Sequence, residues 1–303
     1  MADPAADANL LDRLAGELGC ATHLLRWQFL GSTHGPCRVW QVSGVDARTS
    51  VVVKQFRNER AFTQERDAYT RWLTHLPEET AALVAVLPAP VRAVVLRWLP
   101  GEPLVTGRVR EGVERAAHRR AGAFLRALHA LPEPDRDPLP LREAVQQRYA
   151  AWLARVSPRL TEADAGQLRG LGEALRGTPR LFGRARRVPC HRDFTPSNWL
   201  IDGPLADAQI SRLDGFFVVD FEHAQLDCPL IDLVKLWTEV WGDRPELEQQ
   251  FFAGYGRALG ADERAELRVL AAMHAMATVS WAHDHADPAF QLLGARALRR
   301  VLD

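Results

Sequence analysis

The chain has 303 residues, 47% of them hydrophobic and 25% charged, so it is long enough to bury a large core and has the balance of an ordinary globular protein. Its 38 basic and 38 acidic residues cancel, which excludes a net field drawing it to nucleic acid or to an anionic membrane surface. Cys20, Cys37, Cys190 and Cys228 lie far apart without a C-x-x-C pair, which argues against a zinc site or a disulfide framework. Met1-Ala2-Asp3-Pro4 has no basic segment leading into an apolar core, so no secretion signal is expected there. The most apolar stretch, 81–99, is interrupted by Pro88, Pro90, Arg92 and Arg97 and cannot span a bilayer, so a reduced, cytoplasmic protein is expected. Only Lys54 and Lys235 among the 38 basic residues are lysines; a chain that writes arginine elsewhere keeps the compact ammonium at these two places.

In chain order, residues 1–98 read as strand-rich with one helix and residues 99–303 as mainly helical, and the change of character sets the expected domain boundary. Val39–Val42 and Ser50–Phe56 are β-branched and aromatic runs separated by a segment with Gly44 and Asp46, the pattern of an antiparallel hairpin. Phe62, Tyr69 and Trp72 among charged neighbours predict an amphipathic helix over 60–75. Val91–Leu99 returns to strand character and stops at Pro100-Gly101. Ala121, Phe124, Leu125, Leu128 and Leu131 recur at three- and four-residue steps, which predicts a long helix over 113–131. One or two helices follow over 141–178, then short strands near 199–221, then helices over 230–241, 245–258 and 262–285.

The segment from Cys190 to Leu200 places Asp193 five residues before Asn198, the spacing of a kinase catalytic loop. Phosphoryl transfer asks for an acceptor hydroxyl aimed at the phosphate with a proton sink beside it, a role open to Asp193; Asn198 would offer a neutral oxygen to Mg²⁺. A turn in which Asp193 and Asn198 merely cap backbone is the competing explanation. Twenty-two residues beyond Asn198, the apolar run Phe216–Val219 delivers Asp220-Phe221-Glu222, with Asp220 a metal ligand and Glu222 a weaker or supporting one. Lys54 ends the run Val51-Val52-Val53, and Glu65 stands eleven residues later on the predicted helix, a pairing suited to a lysine that holds nucleotide phosphates. The segment from Gly31 to Gly35 has two glycines and then Pro36, which lacks a donor, so Ser32 and Thr33 are weaker phosphate contacts.

With these residues in place, the sequence resembles the aminoglycoside phosphotransferase and choline kinase superfamily, the small-molecule relatives of protein kinases. The resemblance implies an α+β, bilobal, protein-kinase-like fold: an N-terminal nucleotide-binding lobe over 1–98, with an antiparallel sheet and one helix, and a mainly helical catalytic and substrate-binding lobe over 99–303, with a helical substrate cover at 141–178. It implies ATP, or GTP in its place, with Mg²⁺ as cofactors. Arg97, Trp98 and Leu99 match the hinge whose backbone would read the adenine edge. Asp227, Pro229 and Asp232-Leu233 match the family's acidic-Pro and Asp-Leu pattern, which makes Asp232, with His191, a support for the catalytic loop. His129 reads as a packed core histidine, and Arg192 as one half of a structural ion pair with Glu222.

The implied activity is transfer of the γ-phosphate to a hydroxyl of a small molecule: an aminoglycoside-type or other antibiotic, hence resistance, or else choline, ethanolamine, an amino alcohol or a sugar. A catalytically silent nucleotide-binding protein is the rival from another class. Neither nucleic acid nor membrane is an expected partner, and a monomer or homodimer is expected. Acidic residues that could meet a polyamine are Glu162, Asp164, Asp243, Asp284 and Asp287; Trp237, Trp241 and Trp281 could wall a sugar or a quaternary ammonium.

Overall fold

The computed structural model describes residues 8–31, 37–44, 50–107, 109–202 and 215–303; Ser32 and Thr33 lie outside them. The elements run α1 (Ala8–Leu18), β1 (Arg26–Phe29), β2 (Cys37–Ser43), β3 (Val51–Phe56), α2 (Glu59–Asp67), β4 (Leu83–Leu87), β5 (Ala93–Arg97) and β6 (Glu102–Pro103). They continue as α3 (Glu111–His129), α4 (Leu141–Val156), α5 (Glu162–Gly177), β7 (Val188–Cys190), β8 (Trp199–Asp202), β9 (Gly215–Val218) and β10 (Gln225–Asp227). α6 (Pro245–Tyr255), α7 (Ala261–His285) and α8 (Pro288–Leu302) complete the chain. Two compact units result, one from described residues within 1–104, 197–204 and 213–224, the other from those within 105–196 and 225–303. The described residues within 197–204 and 213–224 thus return to the first unit.

The first unit is built on an antiparallel sheet in the order β1-β2-β3-β5-β4. Alternation along the central strand β3 divides its side chains. Val51 and Val53 join Trp40, Val42 and Val95 in a core sealed by Leu10 and Leu14 of α1, a helix beyond the one expected in this half. Lys54 takes the other face, paired across the sheet with Val39 and Val94. α2 starts where Asn58 accepts a hydrogen bond from the Ala61 amide at 2.8 Å. Past its last turn the chain widens over Ala68–Trp72 and tightens over Leu73–His75, so the helix expected through residue 75 is regular only to Asp67, although Phe62, Tyr69 and Trp72 are buried as its periodicity demands. β6, β8 and β9 form a second, three-stranded antiparallel sheet. Gly101, at φ 100°, enters it where a Cβ would lie 2.6 Å from the Ile201 carbonyl oxygen.

In the second unit the stripe Val113, Ala117, Ala121, Phe124, Leu125 and Leu128 buries one face of α3. α3 crosses α6 at backbone distance: a Cβ on Gly122 would meet the Phe251 carbonyl oxygen at 2.0 Å, and one on Gly254 the Arg119 carbonyl oxygen at 1.9 Å. The expected helix over 230–241 is instead a tight turn at Pro229–Leu233, with Ile231 N–H on Cys228 O, and a wide turn at Leu236–Val240, with Trp241 N–H on Leu236 O. α8 was not expected, although Asp287-Pro288 announces it: the Asp287 carboxylate accepts from the Ala289 and Phe290 amides at 2.9 and 3.1 Å, and Pro288 fills the first turn. Among the described residues no helix is long and apolar enough to cross a membrane.

Candidate active site

Lys54 is 6% exposed, and its Nζ lies 3.0 Å from Glu65 Oε1 on α2 and 2.7 Å from Asp220 Oδ1 just past β9. Burial opposes its charge, yet Asp220 and then Glu65 outweigh burial and hold the ammonium well above the ordinary lysine pKa. Glu65 is fully buried, and burial pushes its carboxyl up to about 7 even beside the lysine. Asp220 sits at φ 70°, a conformation that costs a non-glycine residue roughly 1–2 kcal/mol and is retained where surrounding contacts enforce it.

Two residues on, Glu222 is buried, and burial, then the Asp220 charge, raises its carboxyl. The Cys37 thiol is pushed up to about 12 chiefly by burial, with the nearby Glu222 charge adding to it, while Glu222 Oε2 has no hydrogen-bond partner among the described residues. The Asn198 carbonyl accepts the Val219 N–H at 3.0 Å, which ties the residue before β8 to the residue before Asp220. Asn198, Asp220 and Glu222 therefore ride on hydrogen-bonded segments of one unit. Their all-oxygen donor set, with one carboxylate oxygen orphaned, fits a hard divalent cation such as Mg²⁺. At the expected hinge, the amides of Arg97 and Trp98 are spent on Ala82 O (2.8 Å) and Ser50 O (3.1 Å). The Leu99 amide meets no acceptor among the described residues.

The second unit holds His191, Asp193 and Asp232. Asp232 is 1% exposed and accepts hydrogen bonds from the backbone amides of His191 (3.1 Å) and Arg192 (2.5 Å). His129 Nε2 donates to the same carboxylate at 3.0 Å, its ring fixed by Tyr255 Oη, 3.0 Å from Nδ1. His191 is buried, and its Nδ1 accepts the Asp193 amide at 3.2 Å. The carboxylate of Asp193 bonds the Lys235 ammonium. Arg192 does not pair with Glu222: its Nε lies 3.2 Å from Asp227, which Arg148 grips bidentately at 2.9 and 3.1 Å, because β10 carries Asp227 alongside the loop that follows β7. Burial alone would raise the Asp227 carboxyl, but Arg148 and then Arg192 hold it below the ordinary range.

Lys235 also faces a half-open cavity of about 220 Å³ in this unit, with Arg148, Trp152, Arg192, Met273 and His274 among its walls. None of the acidic or tryptophan residues marked from sequence lines it. Asp284 is engaged by Arg155 and Arg159, Glu162 by Arg169, Asp164 and Asp287 serve helix starts, and Trp241 packs on Phe251 and Phe252. Sequence reasoning gave no role to Arg148, Trp152 or Lys235; for Lys235 the signal was there, since it is one of only two lysines.

Solved structures with this fold include the GDP and kanamycin complex of the aminoglycoside phosphotransferase APH(2")-IIia, at TM-score 0.71 and 14% identity, with 91% of this chain and 92% of that one covered. The macrolide 2'-phosphotransferase MphH from Brachybacterium faecium aligns at TM-score 0.64 and 19% identity over 96% and 97% of the two chains. Choline kinase from Cryptosporidium parvum Iowa II aligns at 0.61 and 12% over 98% and 94%. No curated protein matches the chain by sequence. The phosphotransferase enzyme family model matches residues 37–270, well over half of the chain, and the protein belongs to that family.

Proposed function

We propose that the protein transfers the γ-phosphate of ATP to a hydroxyl of a small molecule. One observation carries this: Lys54, buried on a central strand, is bonded at once to Glu65 and to Asp220. A buried lysine whose charge is fixed by two carboxylates is suited to a nucleotide's α- and β-phosphates. Asn198, Asp220 and Glu222 would hold Mg²⁺, which when bound neutralises charge on the phosphates. The Leu99 amide would donate to the purine edge, with GTP as the other nucleotide class. Asp193 would accept the proton of the acceptor hydroxyl, and Asp232 would keep the loop in register through the His191 and Arg192 amides. The relatives named above act on an aminoglycoside, a macrolide and choline, which supports a small hydroxyl compound as acceptor. Four free cysteines suit a reducing cytoplasm.

The test is acceptor-dependent ADP release by wild type and by Asp193→Asn. The variant should lose about 10²–10⁴-fold in kcat while its affinity for ATP stays near that of wild type. ATP binding without release of ADP under any acceptor would identify a silent nucleotide-binding protein instead, and near-normal turnover by the variant would remove Asp193 from the role.

A further inference from the structure

The walls of the cavity beside Lys235 carry a charge pattern that speaks to the acceptor, on the premise that the phosphotransfer proposed above is correct. Arg148, Arg192 and Lys235 line it, and no carboxylate among the described residues does. The acidic groups behind the wall are already engaged: Asp193 by Lys235, Asp227 by Arg148, and Glu239 by His274 at 3.1 Å. Two guanidiniums thus share the single carboxylate of Asp227, and they share it unequally. Arg148 takes both oxygens with its terminal nitrogens in hydrogen bonds, whereas Arg192 has only an ion-pair contact, its Nε the nearest atom at 3.2 Å and without a hydrogen bond. No side-chain nitrogen of Arg192 donates a hydrogen bond to a carboxylate among the described residues, and its side chain is 23% exposed.

We propose that the acceptor is a small hydroxyl compound bearing an anionic group beside an apolar portion, and that the open fork of Arg192 binds that group. A planar guanidinium matches carboxylate and phosphate oxygens two at a time. The backbone that carries it is fixed: Arg192 stands at φ 65°, its amide bound to Asp232. Burial, opposed by Asp227 and reinforced by Arg148, pulls the Arg192 pKa down, which marks a cation short of counter-charge. Trp152, Val234, Leu270 and Met273 supply the apolar side. At about 220 Å³ the cavity is smaller than the roughly 300–1,000 Å³ that encloses a drug-sized ligand. A polycation would find three cationic side chains on the wall, two of them matched from behind by Asp193 and Asp227, and no carboxylate among the described lining residues, so an aminoglycoside is disfavoured on both size and sign.

The experiment offers the full chain, with ATP and Mg²⁺, four sets of acceptors: hydroxycarboxylates (glycerate, pantoate, phenyllactate) with their amides; sugar phosphates with their parent sugars; choline; and kanamycin. ADP release and phosphorus NMR of the product are read. At least one anionic compound should exceed its neutral counterpart in kcat/KM by roughly ten- to hundredfold, and the first two sets decide between carboxylate and phosphate. Arg192→Gln should raise KM for that compound by a similar factor with kcat little changed, and Arg192→Lys should recover part of the loss. Preference for kanamycin, choline or any neutral compound over every anionic one overturns the inference while leaving phosphotransfer intact, as does an unchanged KM in Arg192→Gln. Calorimetric binding of an anionic compound without ADP release sinks phosphotransfer but supports the anion site. Neither binding nor release with any set sinks both.

Discussion

Lys54 and Glu65 set a cost that can be measured. Lys54→Met strips Glu65, which is 0% exposed, of its buried partner and should destabilise the protein by about 3–5 kcal/mol in chemical denaturation. Lys54→Met/Glu65→Gln should recover part of that loss. Without its lysine, Glu65 folds best as the neutral acid. Because a folded-state pKa above the unfolded value gives stability that is present at low pH and lost as pH rises, the Lys54→Met penalty should shrink as pH is lowered from 7 toward 5. Asp232→Asn leaves one oxygen to serve the amides of His191 and Arg192, so about 1–3 kcal/mol should be lost. At this scale much was legible: Lys54, Glu65, Asn198, Asp220 and Glu222 stand at fixed offsets around short apolar strands, which is why pattern reading gathers them. The Arg148 and Asp227 pair was not legible. It joins α4 to β10 across 79 positions, and neither side chain sits in a periodic setting.

At the scale of elements, α3 and α6 approach so closely that glycine is required at the crossing. Gly122→Ala and Gly254→Ala each improve intrinsic helix propensity by about 1 kcal/mol, yet each inserts a methyl against a backbone carbonyl that cannot rotate away. A net loss of about 1–3 kcal/mol is expected, read as a lower denaturant midpoint, and the contact makes this the opposite of the usual glycine-to-alanine outcome. Nothing in the two sequences marks these glycines, since what they avoid belongs to a helix far along the chain. The same holds at 229–240, where apolar spacing predicts a helix and the chain instead tightens and widens around Asp232, whose carboxylate is committed to the loop amides. α1 and α8 differ in kind. Leu10 and Leu14 stand four apart on a buried face, and Asp287-Pro288 is a helix start by local rules, so both were within reach of the sequence.

For the whole molecule, the balance of 38 basic and 38 acidic residues and a pI near 7.2 predict a solubility minimum close to neutral pH, measurable by precipitation across a pH series at low salt. Composition foretold this directly; it did not foretell how the chain is shared between units. Residues 1–104 lack β8 and β9, and with them the partners of β6 and the Val218 amide that donates to Glu79 O at 2.8 Å. That fragment expressed alone should be poorly ordered by circular dichroism and amide exchange, whereas a design that also supplies 197–224 should recover protection. The return of the chain to its first unit also bears on descent. A single recombination point can exchange whole modules only where each module is one continuous stretch of gene. Here such a crossover after residue 104 would give one parent's Lys54 the other parent's Asp220, so the two must be inherited together or be rebuilt by point mutation.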